Sequence, residues 1–239
     1  MSPAPAPDPA PTGRSPAAPL WRRETLRRAG AGVLRPGGLD LTDRAAELSG
    51  LAPRWRVLDA GCGSGAAVRR LRARHGALAV GLDLDLAAAA GHFPKAPPLV
   101  RADMARLPFA DAGFHMVLCE CVLSLARDPD AVLAEFARVL RPGGRLALSD
   151  LYLTGDAPGP AGHTPAAPAG CAAGARPRPE LEARLAAAGF VLTRFEDHSI
   201  RLRELAARLV LAGEPAAGLA GPCCGAARPG YGLWLARRP

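Results

Sequence analysis

The stretch VLDAGCGSG at residues 57–65 joins a short apolar run directly to three glycines, Gly61, Gly63 and Gly65. Residues 56–60 have the short apolar character of a central parallel strand, and residues 66–74 have the character of a helix. The glycines therefore occupy a strand-to-helix turn, where glycine tolerates positive φ and has no Cβ to hold a ligand away from the main chain. Such turns lie at the carboxyl ends of the strands in open α/β sheets, so the stretch predicts a ligand-binding turn.

The segments around this turn indicate a nucleotide-binding β-α-β unit whose glycine spacing is not that of dinucleotide-binding proteins. The glycine spacing differs from the G-x-G-x-x-G fingerprint of dinucleotide-binding proteins. A second apolar run at residues 78–84 contains Asp83, about twenty residues after the turn, where an acidic residue can bond ribose hydroxyls. Asp59 precedes the glycines inside the first strand.

The rest of the chain alternates between strand and helix patterns, which predicts an α/β, doubly wound, parallel sheet. Further strands are predicted at residues 98–101, 114–120, 144–151, 190–196 and 231–237. Helices are predicted at residues 22–29, 42–49, 86–92, 129–140, 179–188 and 200–212, with Thr42 as the N-cap of the second of these. Residues 141–144 form a turn signal that ends a helix and begins a strand.

Four segments, at residues 58–65, 81–83, 102–104 and 138–145, together closely resemble the motifs of class I S-adenosylmethionine-dependent methyltransferases. The resemblance covers roughly residues 40–198. It implies a Rossmann-like, seven-stranded, mostly parallel sheet with an antiparallel final strand, and S-adenosylmethionine as cofactor. It also implies an activity, the methylation of a small-molecule substrate.

The same resemblance implies a set of cofactor-binding residues. The glycines would lie against the methionine part of the cofactor, Asp59 would bond nearby backbone or the amino group, and Asp83 would accept from the ribose hydroxyls. Asp103 would accept from the adenine amine, while Leu84 and Met104 pack on the ring, and Glu120 would contact the methionine end. The full set is Asp59, Gly61, Gly63, Gly65, Asp83, Leu84, Asp103, Met104 and Glu120.

Composition bounds the class of protein. The 239 residues suit one domain, and the net charge of +8 comes from scattered arginines without interleaved aromatics, which argues against nucleic-acid binding. The sequence contains no run of eighteen apolar residues that would predict a membrane span, and no secretory signal is visible, so a cytoplasmic location is expected.

The chain divides into a tail and one domain. Residues 1–19 are rich in Pro and Ala and predict a disordered tail. Residues 20–239 predict the methyltransferase domain, in which residues 153–179 predict a lid or loop.

Cysteines offer a hypothesis for the methyl acceptor. Cys119 and Cys121 end the fourth strand, where an extended chain would direct both thiols to the same side. With Cys171 and the pair Cys223 and Cys224, they predict a thiol-lined site for a thiol, selenium or metalloid acceptor, with some similarity to arsenite methyltransferases. In this hypothesis Cys119, Cys121 and Cys224 act on the acceptor; in the alternative they are buried packing residues, and Cys62 is expected to be one. No metal site is predicted, because the paired C-x-x-C spacing of structural zinc is missing.

Other interpretations stay open from the sequence. Asp197 could orient His198 as a general base, or both could lie in a solvated turn. The chain could be a nucleotide-dependent oxidoreductase, which the glycine spacing disfavours. It could also be a non-enzymatic thiol- or metal-binding module that keeps the methyltransferase fold.

Overall fold

The computed structural model describes residues 33, 35–89, 96–154, 174–213 and 228–239. Its helices are α1 (Gly38–Leu48), α2 (Ala66–His75), α3 (Pro129–Val139), α4 (Arg178–Ala187) and α5 (Ser199–Leu211). Its strands are β1 (Arg56–Ala60), β2 (Leu78–Asp83), β3 (Leu99–Arg101), β4 (Phe114–Glu120), β5 (Leu140–Thr154), β6 (Arg176–Pro177), β7 (Val191–Asp197) and β8 (Arg228–Arg237). Short 3-10 turns lie at Leu86–Ala89 and Leu123–Leu125.

The strands form one twisted, mostly parallel sheet, which confirms the predicted fold class. Its order is β3-β2-β1-β4-β5-β8-β7, and the two-residue β6 pairs with the far end of β5. β8 runs antiparallel to both of its neighbours, as predicted for the final strand. The described part of the sheet has eight strands rather than seven, because β6 adds a brief pairing. The carboxyl ends of β1, β2, β4 and β5 meet at one edge, where the glycine turn lies.

Two hydrophobic clusters cover the two faces of the sheet. Along β1, Val57 packs with α1, α2 and α5, whereas Leu58 packs with α3 and α4. Both side chains are fully buried, as is Trp234 on β8. Strands covered on both faces read as continuous apolar runs, which is why β1 and β4 are recognisable in the sequence.

Several predicted boundaries were wrong. Thr42 is not an N-cap, because the preceding residues continue the helix and α1 begins at Gly38. Residues 141–144 are assigned to β5 but bulge out of its pairing with β4, and Gly143 there has φ +74°. The ends of the segment predicted as a lid at 153–179 were also wrong, because residues 153 and 154 belong to β5 and residues 176–179 belong to β6 and α4.

Other predicted segments fall wholly or partly outside the described residues. These are the tail at 1–19, the helix at 22–29, the end of the helix at 86–92 and the centre of the lid at 155–173. The described start of the 86–92 helix is a single 3-10 turn. None of the described helices combines the length and apolar character needed to cross a bilayer.

Candidate functional site

The glycine turn between β1 and α2 has the conformation that its sequence predicts. Gly61, Gly63 and Gly65 have φ values of +79°, +52° and +78°, a region that disfavours side chains with a Cβ. The Gly65 N–H donates to the Cys62 carbonyl at 2.9 Å, which closes the turn before α2 begins. All three positions therefore favour glycine, because their backbone angles are strained for any residue with a Cβ.

The three glycines differ in what surrounds them. A Cβ on Gly61 would lie 2.5 Å from the Val122 side chain, and one on Gly65 would lie 2.8 Å from Pro97. A Cβ on Gly63 would meet no described atom within 4 Å. Packing therefore requires Gly61 and Gly65, whereas Gly63 leaves an open surface beside the main chain.

Asp83 closes one side of this open surface. The Gly63 N–H donates to Asp83 Oδ2 at 2.8 Å, and the Asp85 N–H donates to Oδ1 at 3.0 Å. A carboxylate can accept about four hydrogen bonds, so each oxygen keeps capacity for a ligand hydroxyl. The structure thus joins the predicted ribose-binding residue to the glycine turn.

The residues predicted to hold a purine lie next to Asp83. The Ala102 N–H donates to the Asp83 carbonyl at 3.0 Å, which sets the segment after β3 beside the end of β2. Met104 is 9% exposed and Leu84 is 62% exposed. Asp103 is exposed and accepts the Ala105 N–H at 2.9 Å. Their contacts with a cofactor stay a prediction.

Two buried carboxylates lie on the neighbouring strands β1 and β4. Asp59 is 3% exposed and Glu120 is 6% exposed. Burial raises the pKa of Asp59 to about 7, and the charge of Glu120 adds to this effect. Burial also raises the pKa of Glu120, although Arg35 opposes the shift. Asp59 Oδ2 has no hydrogen-bond partner among the described residues.

Sequence reasoning missed the two residues that hold Glu120. Arg35 forms an ion pair with Glu120 Oε2 at 2.5 Å, and the Thr42 hydroxyl lies 3.1 and 3.2 Å from the two carboxylate oxygens. Neither residue belongs to a motif, and Thr42 is 78 positions from its partner. Only the docking of α1 brings them to the end of β4.

Three consecutive residues anchor α1 to three different elements. Thr42 contacts Glu120 on β4, Asp43 pairs with Arg70 on α2 at 2.6 Å, and Arg44 pairs with Glu196 on β7 at 2.8 Å. The Arg70 interaction and those with neighbouring cations lower the pKa of Asp43 against the effect of its burial. α1 is therefore held firmly beside the carboxyl edge of the sheet.

The structure separates the two thiols on β4. Cys119 is fully buried in the cluster with α3 and α4, and burial raises its pKa well above the usual range. Cys121 has φ +60° and packs on the opposite face, with α1, α2 and α5. The prediction that both thiols point to the same side was wrong, because the strand's alternation ends at Glu120. The burial of Cys119 argues against its predicted role at an acceptor and favours the alternative of a packing residue.

The remaining cysteines add little to a thiol site. Cys62 is buried, and a Cβ on Gly81 would lie 2.7 Å from its Sγ, so it packs against the β2 backbone as expected. Cys171, Cys223 and Cys224 lie outside the described residues. Within the described ranges, no group of three or more His, Cys, Asp and Glu side chains is arranged to hold a metal ion.

We expect Cys62 and Cys119 to resist alkylation by iodoacetamide in the native protein, because the thiolate is the nucleophile and burial raises the pKa of both thiols. Peptide mass spectrometry of labelled protein, with and without urea, measures this. Modification of Cys119 in native protein at the rate seen in urea would contradict its buried position.

The structure favours the interpretation in which Asp197 and His198 do not act together as a general base. Asp197 accepts from the Ser199 N–H at 2.8 Å, while His198 Nε2 lies 3.2 Å from Glu196. The Asp197 carboxylate therefore bonds the first residue of α5 rather than orienting His198. His115 stacks on Trp55 at the opposite edge of the sheet, with the ring centroids 5.5 Å apart.

Comparison with known proteins identifies the domain. The family model for a methyltransferase domain matches residues 58–148, which contain the glycine turn and Glu120. An arsenite methyltransferase from Halobacterium salinarum is 40% identical over 88 residues, which cover 37% of this chain and 22% of that protein. Residues 58–148 are a class I, S-adenosylmethionine-dependent methyltransferase domain.

Solved structures show the same fold for this methyltransferase domain. The cyclase SpnF is 26% identical with a TM-score of 0.65, and the match covers 84% of this chain and 80% of that one. A phosphoethanolamine N-methyltransferase from Haemonchus contortus, in complex with S-adenosylmethionine, has a TM-score of 0.72 at 17% identity, covering 90% and 56%. The chain spans about half or less of the length of the curated relatives it matches.

S-adenosylmethionine is the cofactor of this family, and the residues present suit it. The unpartnered acceptor on Asp59 suits an ammonium group, and the open surface at Gly63 leaves room for a ligand against the main chain. Asp83 has spare acceptor capacity for hydroxyl groups. The carboxyl edge of the sheet thus offers an acceptor for the ammonium group of the cofactor, at Asp59, and acceptors for its ribose hydroxyls, at Asp83.

Proposed function

We propose that this protein transfers a methyl group from S-adenosylmethionine to a small-molecule acceptor, within a single domain at residues 20–239. The observation that carries the proposal is the open main-chain surface at Gly63, beside the carboxylate of Asp83 and directly after the strand that carries Asp59. S-adenosylmethionine supplies an electrophilic methyl group on a sulfonium. The nine predicted residues, from Asp59 to Glu120, remain the proposed cofactor contacts.

The chain's own contribution is to bind, to orient and to exclude water. The glycine turn presents backbone close to the ligand, and Asp83 orients a ribose by accepting from its hydroxyls. The buried carboxylate of Asp59 pairs with a cationic group in a water-poor site, where the electrostatic attraction is stronger than in water. Holding two reactants in line provides most of the rate enhancement that a one-step displacement needs.

The acceptor class is the finer part of the proposal. We infer a soft acceptor, a thiol, selenium or metalloid species, from Cys121 at the carboxyl edge together with Cys171, Cys223 and Cys224. Cys121 is partly exposed in the described structure, and the arsenite methyltransferase relative supports this chemistry. Cys119 has no part in it.

Mass spectrometry of small acceptors tests the activity directly. The protein is incubated with methyl-labelled S-adenosylmethionine and panels of thiols, selenols, arsenite and small carboxylates, and labelled products are scored. Transfer to arsenite or a thiol that Cys121→Ser abolishes, with cofactor affinity unchanged, supports the soft-acceptor proposal. Cofactor binding without any transfer would favour a non-enzymatic module, and binding of NAD instead would favour an oxidoreductase.

Asp83→Ala is expected to weaken S-adenosylmethionine binding by about 1.5–3 kcal/mol, as measured by titration calorimetry, because charge-assisted hydrogen bonds are lost. Asp83→Asn is the matched control, since the amide keeps the size and one acceptor oxygen, and it should lose less affinity. Unchanged affinity in Asp83→Ala would remove Asp83 from the cofactor site.

A further inference from the structure

Arginines from three separate segments meet at the amino edge of the sheet, where β1, β4 and β5 begin, opposite the glycine turn. Arg56 begins β1, and Arg145 on β5 pairs with Arg237 at the end of the antiparallel strand β8. Together with the half-buried Trp55, we call the following arginines the amino-edge surface: Arg54, Arg56, Arg141, Arg145 and Arg237. These charges are scattered along the sequence, and only the sheet brings them to one edge.

Contacts around Trp55 connect the first and second of these segments. The Trp55 ring stacks on His115 of β4, and the Arg141 guanidinium lies 5.8 Å from the centre of the Trp55 ring. The Arg56 N–H donates to His115 Nδ1 at 3.2 Å. Burial lowers the pKa of His115, and the charges of Arg141 and Arg56 lower it further, so both guanidinium groups lie within electrostatic reach of this ring. The positive charge of the surface therefore comes from arginine.

The described part of the protein does not neutralise this charge. None of the five arginines forms an ion pair with a described residue, whereas Arg138, at the end of α3, pairs with Asp111 at 2.6 Å. Four of the five are exposed, and Arg145 is half-buried. Arg54 also has φ +65°, a conformation that costs free energy for a residue with a Cβ. Clustered, exposed and unneutralised arginines fit a partner with several negative charges.

We propose that the amino-edge surface binds the phosphate backbone of a single-stranded nucleic acid. Guanidinium groups bind phosphates through paired hydrogen bonds, and an aromatic ring among them can pack against bases. The order of the arginines in the sequence argues against such binding, but the folded chain combines clustered arginines with Trp55 at one edge. This edge is opposite the glycine turn, so the inference concerns a partner rather than the methyl acceptor and is independent of the proposed function.

Fluorescence anisotropy with a labelled thymidine oligonucleotide of about 20 nucleotides tests the proposal, because such a strand does not pair with itself. At physiological salt we expect a dissociation constant of about 1–100 μM. If five arginines neutralise about five phosphates, the logarithm of the binding constant should fall with the logarithm of the salt concentration at a slope of about −3.5.

Arg56→Ala/Arg141→Ala removes two of the five charges and should reduce the slope to about −2, with affinity about 10-fold lower at physiological salt. The contact between residue 56 and His115 uses the backbone N–H, so the variant keeps it. Arg106→Ala/Arg228→Ala is the matched control, because it removes the same net charge from two exposed arginines outside the amino-edge surface. The control should change the affinity by less than about twofold.

Arg54→Gly separates a binding role from a structural one. Glycine adopts φ +65° without strain, so this variant should melt no lower than wild type while it binds the oligonucleotide about 3-fold more weakly. Unchanged oligonucleotide affinity in Arg54→Gly would contradict the proposal.

Three further results would overturn the proposal. Equal loss of affinity in the Arg56/Arg141 variant and the Arg106/Arg228 control would show that net charge alone explains binding. Wild-type protein that binds poly-glutamate of the same length as tightly as the oligonucleotide would indicate an acidic protein partner instead. Wild-type protein that does not bind the oligonucleotide at physiological salt would leave the surface without this function.

Discussion

Gly61→Ala is expected to destabilise the protein by about 2–5 kcal/mol, one of the largest single effects in the chain. The added methyl would lie 2.5 Å from Val122, in a core where overpacking costs about 1–3 kcal/mol. A non-glycine residue at φ +79° also costs roughly 1–2 kcal/mol. Chemical denaturation followed by circular dichroism measures the loss.

Gly63→Ala is the matched control, because it adds the same methyl at positive φ but meets open space among the described residues. It should lose only the backbone part, about 1–2 kcal/mol of stability. Adding Val122→Ala to Gly61→Ala should recover part of the loss by relieving the contact. Equal destabilisation by the two glycine substitutions would show that Val122 does not set the cost at Gly61.

Asp59→Asn is expected to cost about 2–5 kcal/mol of S-adenosylmethionine affinity, because it leaves a buried ammonium without its counter-charge. Wild-type affinity should also rise about tenfold between pH 6 and pH 8, as the carboxylate with a pKa of about 7 ionises. The asparagine variant should lack this rise. Calorimetry at several pH values measures both effects.

Stability without cofactor should show the opposite dependence on pH. The pKa of Asp59 is raised in the folded state above its usual 3.8, so folding binds a proton between these values. The stabilisation from this proton is fully present below about pH 4 and is lost as pH rises through about 7. At pH 8 the asparagine variant without cofactor should therefore melt at a higher temperature than wild type. A lower melting temperature there would contradict the buried carboxylate.

Much of the sheet was predictable because the central strands are buried on both faces. The apolar runs at β1 and β4 and the glycines between β1 and α2 are local signals, and the structure confirms them. Asp83 was predictable too, since its spacing from the turn is a property of one β-α-β unit. Boundaries were less predictable: Thr42 has the residue type of an N-cap but lies within α1.

The cysteine hypothesis failed at Cys119 for a reason that no periodicity shows. Alternation along β4 holds only while the backbone stays extended, and Cys121 at φ +60° leaves that conformation. Its thiol therefore packs against the face opposite to that of Cys119. A non-glycine residue in the left-handed region has no distinctive sequence signal.

By itself, the sequence determined the α/β class, the glycine turn and the acidic residue that follows it, because each depends on neighbouring residues along one strand, turn and helix. Tertiary structure decided the surroundings of Glu120 and Asp59. Arg35 and Thr42 reach Glu120 only because α1 docks beside the carboxyl edge, and burial beside Glu120 sets the protonation of Asp59. Contacts across 78 positions and the water-poor surroundings of a carboxylate arise from packing, which local sequence does not encode.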